Sequence, residues 1–143
     1  MKTMVFLWID PPRKRLPVKN YGLLEYYCDE PGCDCRRVIL DAVSSTHSRR
    51  VFASIVFGWE TLAFYRAWAG TGDLGDATPL KRGVLNPAAL NCDWADVLLR
   101  HVRKEVLSDP KAVKRFIKHY EMVKRFQRKE LRAGRIGPGK HDA

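Results

Sequence analysis

The chain reads as an α+β fold: a three- or four-stranded antiparallel meander followed by helices packed on one face. Between Tyr21 and Trp59, runs rich in aromatic and branched residues are separated by turn chemistry, which is a strand pattern. After Asp93, apolar residues recur at helical spacing instead. The length of 143 residues fits one domain, 1–143, able to bury about two thirds of its unfolded surface.

Residues 1–20 make a basic N-terminal segment. Within it Met4–Ile9 is a short apolar run that adds a fourth strand, and Pro11–Lys19 is an extended basic connector with three prolines and four basic residues. Residues 21–59 form the cysteine-bearing meander. Its strands are Tyr21–Cys28, Arg36–Val43 and Arg50–Trp59, the first two joined through Asp29-Glu30-Pro31-Gly32. Residues 60–107 hold helices and a loop. Leu62, Tyr65 and Trp68 have helical spacing, Gly70–Gly75 is a loop, and Asn91 or Asp93 caps a helix from Trp94 to Leu107. A basic helix follows over 110–133, with Pro110 at its first position and Gly134 ending it. Residues 134–143 are a flexible tail.

The net charge of +10 is concentrated at the ends. Residues 1–20 carry net +4, residues 21–99 net −3, and residues 100–143 net +9. That asymmetry points to nucleic acid or another polyanion as partner, with a plain solvated surface as the alternative. The apolar run Met4–Ile9 is too short for a signal peptide or a membrane span, which gives a cytoplasmic expectation. In a reducing compartment clustered cysteines serve metal binding or redox chemistry more often than stable disulfides.

Cys28, Cys33 and Cys35 cluster on the first hairpin. If Cys28 and Cys33 flank a four-residue turn, both project to one face, and Cys35 follows two residues on. Three thiolates supply most of a tetrahedral zinc site, and Arg36 and Arg37 favour the thiolate forms by their charge. The fourth ligand is open: Cys92, a histidine, an aspartate or water. Metal-free reduced thiols and a Cys28–Cys33 redox pair are the alternatives.

The run from Tyr27 to Val38, Tyr-Cys-Asp-Glu-Pro-Gly-Cys-Asp-Cys-Arg-Arg-Val, resembles a family of small bacterial proteins that share this cysteine hairpin. Echoes follow in Phe57-Gly58-Trp59-Glu60, Leu85-Asn86-Pro87, Asp109-Pro110 and Lys118-His119-Tyr120, so the resemblance spans about residues 21–126. It implies a shared fold and carries no assigned activity. Members often lack a cysteine after the Asn-Pro pair, which makes Cys92 a departure.

On the last helix Val113, Phe116, Ile117, Tyr120, Val123, Phe126 and Leu131 fall on one stripe, read as core. Opposite them stand Lys111, Lys114, Arg115, Lys118, Arg125, Arg128, Lys129 and Arg132, a positive ribbon about 30 Å long. Such a line suits phosphate neutralisation.

Other features carry less. Gly70–Gly75 lacks the preceding strand and the Gly-Lys-Ser/Thr ending of a phosphate loop. Trp8, Trp59, Trp68 and Trp94 read as core anchors. His47 has no nucleophile or orienting carboxylate beside it, and Asp29, Asp34 and Asp41 make no acid–base pair. The reading is therefore a small zinc-stabilised binding module, with nucleic-acid binding through the basic helix. The alternatives are an interaction or regulatory protein with a passive basic surface, and a thiol-based redox or metal-dependent enzyme.

Overall fold

The computed structural model describes residues 4–8, 20–44, 50–68 and 78–137. The connector at 11–19, the loop with His47, the glycine-rich run 70–75 and the chain beyond 137 lie outside the described residues, as do the side chains of Trp8 and Trp68.

The chain folds as α+β. Five strands, β1 (Met4–Trp8), β2 (Asn20–Tyr26), β3 (Arg37–Ser44), β4 (Val51–Gly58) and β5 (Val84–Leu85), stand in sequence order in one antiparallel sheet. The expected fourth strand is therefore present as β1, which pairs from Met4↔Leu24 to Trp8↔Asn20. The fifth, β5, was not expected. Two residues are too few to show a period-two pattern, and only the pairing Val84↔Val56 reveals the strand.

Register follows from alternation. Leu23 faces Ala42 and Glu25 faces Leu40 across β2–β3, while Leu40 faces Ile55 and Val38 faces Phe57 across β3–β4. These positions share one side of the pleat, and all are buried. β4, flanked on both sides, is buried from Phe52 to Gly58.

The helices are α1 (Leu62–Trp68), α2 (Thr78–Arg82), α3 (Ala95–Val102), continued by a π-helical turn over Arg103–Leu107, and α4 (Pro110–Arg132). Thr61 starts α1 by accepting from the amide of Phe64 at 3.1 Å. Asp109 starts α4, its Oδ1 accepting from the amide of Lys111 at 3.0 Å with Pro110 next. Gly134, at φ +71°, ends that helix. The expected cap of α3 is absent: Trp94 occupies the position without a side-chain bond. Asn91 instead ties loop to sheet, accepting from the amide of Ser54 at 2.8 Å and donating to the carbonyl of Asn86 at 3.0 Å.

The core is formed where α3 and α4 meet the inward face of the sheet. Phe57 meets Phe116 with ring centroids 6.3 Å apart, and Phe52 meets Trp94 at 5.9 Å. Trp59 and Trp94 pack against this core, as expected of anchors. The expected apolar stripe of α4 holds only in its first part. Phe116, Tyr120 and Val123 are buried, but Phe126 is 62% exposed and Leu131 38%. Gln127 takes the inward place, because the end of α4 meets the polar backbone of the cysteine loop. No helix among the described residues is long and apolar enough to cross a membrane.

Candidate metal centre

β2 ends at Tyr26 and β3 begins at Arg37, so all three hairpin cysteines lie in the connection and not in the ladder. The last ladder pair is Tyr26↔Ile39, and the same register carried on would set Cys28 opposite Arg37, not Cys33. The expected cross-strand pairing is thus replaced by a turn. Gly32 adopts φ +82°, and the amide of Cys33 donates to the carbonyl of Glu30 at 3.2 Å. Arg36 adopts φ +46°, an unusual value for a residue with a side chain. Between these two reversals the chain folds Cys33 and Cys35 back toward Cys28. The three Sγ atoms all lie within 4.8 Å of one another.

Three helical side chains hold this loop. Lys124 Nζ and Gln127 Nε2 each donate to the carbonyl of Cys28 at 3.0 Å. The hydroxyl of Tyr120 donates to Asp34 Oδ1 at 2.9 Å. Asp34 also takes a two-point pair from Arg36, at 3.0 and 2.9 Å, which with Tyr120 keeps its carboxyl below the usual range. Its carboxylate is committed to these partners and stays out of the sulfur cluster, as expected, though hydrogen bonding and not strand alternation decides it.

Two of the three thiols are buried. Cys33 is 6% exposed and Cys35 2%, with Cys28 intermediate. Burial, the neighbouring Cys35 and then Cys28 push the Cys33 thiol up to about 12. The expectation that Arg36 favours the thiolate therefore fails, because its guanidinium is engaged by Asp34 and by Glu60, the latter at 3.4 Å. A protonated, buried thiol is a poor nucleophile. A metal ion changes the balance, since it replaces the protons with a stronger positive charge.

The donor set fits such an ion. Tetrahedral thiolate ligation with bonds of about 2.3 Å needs sulfurs about 3.8 Å apart, and the loop holds all three within 4.8 Å of one another. All four cysteines are free thiols.

Cys92 stands apart from the cluster. Its amide donates to the carbonyl of Phe52 at 2.9 Å, at the end of β4 remote from Gly58, which pairs with Arg37. Six residues of strand make that about 20 Å. The docking of Cys92 against the far end of β4 thus keeps it out of the expected four-cysteine shell. His119 is also committed elsewhere, its Nδ1 lying 2.9 Å from Glu25 Oε1.

The α4 cations divide. Lys111, Lys114, Lys118, Arg125, Arg128, Lys129 and Arg132 are exposed, whereas Arg115 leans inward, 3.8 Å from the fully buried Glu25. Arg115 therefore leaves the expected ribbon. Glu25 also accepts from the Tyr27 hydroxyl at 2.6 Å. This Glu25–Tyr27–His119–Arg115 group went unnoticed in the sequence. Its signal was a carboxylate at an inward-facing position, two residues after Leu23 and four after Tyr21.

Compared with family models, with curated proteins and with solved structures, the chain matches none.

Proposed function

We propose that the protein is a small zinc-binding module in which Cys28, Cys33 and Cys35 hold the ion. The observation that carries this reading is the convergence of three sulfurs, those of the buried Cys33 and Cys35 and the half-buried Cys28, within 4.8 Å on one ten-residue connection. Zinc suits the donors, being a borderline ion readily held by thiolates and free of redox demands. The ion would join the two ends of the loop that α4 grips through Lys124 and Gln127, so binding energy becomes folding energy. Elemental analysis of freshly purified, reduced protein tests this directly. About one equivalent of zinc per chain is expected, and undetectable metal would sink the reading.

A second reading, binding of nucleic acid or another polyanion, is favoured by the seven exposed cations on α4. They lie opposite the buried Phe116, Tyr120 and Val123, so a phosphate backbone could be approached without disturbing the core.

A further inference from the structure

Among the described residues, no histidine, aspartate or glutamate joins the three thiols. Zinc prefers four ligands, and a site with three protein ligands keeps its fourth position for an exchangeable one. Next to the cluster lies a cavity of about 640 Å³, lined by Cys33 together with Trp59, Ile117, Tyr120, Arg125 and Arg128. Its volume is in the range of small-molecule sites.

We propose that the metal held by Cys28, Cys33 and Cys35 keeps one coordination position open to this cavity, where it takes the donor atom of a small anionic ligand with a flat apolar body. This rests on the metal reading above and adds the ligand class. Cys33 connects the two, since it belongs to the sulfur cluster and lines the cavity. Trp59 and Tyr120 meet edge to face at 5.3 Å and offer an aromatic wall for the body of the ligand.

Charge selects the head group. Arg36, also in the wall, is neutralised by Asp34 and Glu60, and Lys124 is occupied by the carbonyls of Cys28 and Glu30. Arg125 and Arg128 are exposed and make no hydrogen bond or ion pair among the described residues. Over the whole wall, Arg36, Lys124, Arg125 and Arg128 stand against Asp34, Glu60 and Glu121, one positive charge in excess, which balances the single negative charge that three thiolates leave on a divalent ion. The two uncommitted guanidiniums then recognise an anionic head group locally.

The test uses the full chain, reduced and loaded with Co(II), titrated first with acetate and then with benzoate. Thiolate-to-cobalt charge-transfer bands report the three sulfurs, and the visible ligand-field bands report the fourth position. Both anions should change the ligand-field bands saturably, benzoate at least about tenfold more tightly because its ring is buried against Trp59 and Tyr120. The pair Arg125→Gln and Arg128→Gln should weaken benzoate about fivefold while leaving the charge-transfer intensity unchanged. Charge-transfer bands with ligand-field bands indifferent to both anions would mean a closed shell, overturning this proposal and leaving the metal reading intact. Absence of the charge-transfer bands would remove the metal reading and this proposal with it.

Discussion

The hydroxyl of Tyr65 donates to the carbonyl of Arg36 at 2.7 Å and so fixes the corner at which the cysteine loop enters β3. The same oxygen accepts from the amide of Glu60 at 3.2 Å. Gly58 makes room for it, since a Cβ there would stand 2.3 Å from the Tyr65 oxygen. One buried phenol thus joins α1, the end of β4 and the left-handed Arg36.

Tyr65→Phe should therefore cost about 1–3 kcal/mol, because it leaves a carbonyl and an amide without their partner. The loss should show as a lower urea midpoint with an unchanged slope. An unchanged midpoint would mean that the Arg36 corner is held by its ion pairs alone.

Glu25 and Arg115 should respond unequally to truncation. Glu25 is fully buried and serves Tyr27 and His119 as well, whereas the Arg115 side chain is about a third exposed and its Nε stands 3.8 Å from Glu25, too far for a hydrogen bond. Glu25→Ala should cost about 3 kcal/mol or more, and Arg115→Gln under about 1 kcal/mol. Equal losses in chemical denaturation would show that the ion pair, and not the hydrogen bonds to Glu25, carries the group.

Much of this arrangement was legible beforehand, and what was missed has physical causes. β2 to β4 announce themselves by runs of aromatic and branched residues bounded by turn chemistry, and α4 because Asp109-Pro110 and Gly134 mark its ends. The alternation of residues 28–35 predicts a plain hairpin for the cysteine loop. What moves Cys33 and Cys35 off the ladder is the backbone of Gly32 and Arg36, and an arginine gives no warning of a positive φ. Residue type alone points Cys92 to the cluster, and only its bond to Phe52 and the register of β4 place it at the far end of the sheet. The stripe of α4 failed at Phe126 because periodicity cannot foresee that polar backbone awaits the helix end.

The two cysteine positions separate under substitution. Cys33→Ser should abolish stoichiometric metal and lower the melting temperature of the holo protein, since the ion's binding energy supports the loop. Cys92→Ser should retain full metal content, because that residue lies against Phe52 and outside the cluster. Metal loss in Cys92→Ser, measured by elemental analysis, would contradict the sheet geometry.

Stability of the metal-free protein should fall at alkaline pH. Burial raises Cys33 from 9.0 to about 12 and Tyr65 from 10.0 to about 12, and it raises Tyr21, Tyr27 and Tyr120 as well. A raised value in the folded state means that folding favours the protonated group. The corresponding stability is complete below about pH 9 and is lost as pH climbs through 9 to 12. Melting temperatures in chelator and reductant should be level from pH 7 to about pH 9 and then drop. Burial raises the Cys92 thiol too, so Cys33→Ser should make the first part of that drop shallower without moving its start, and leave the part owed to the tyrosines in place. An identical profile would remove Cys33 as a contributor.

The exposed face of α4 gives the last prediction. Phosphate binding releases counterions, so affinity for DNA or RNA should fall linearly with salt on logarithmic axes, with a slope of about 0.7–0.9 for each phosphate neutralised. Lys114, Lys118 and Lys129 are exposed and do not line the cavity beside Cys33, so Gln at all three positions isolates the ribbon from the candidate metal centre. The triple variant should bind more weakly and with a slope shallower by about 2–3, while its melting temperature stays level. Sequence preference should be weak, because α4 spends one whole face on Phe116, Tyr120 and Val123 and has limited access to a groove. Anisotropy titrations at low and moderate salt measure all of this. Affinity no greater than that of an unrelated protein of equal net charge would make the ribbon a solvated surface, and the metal module would then stand without a polyanion partner.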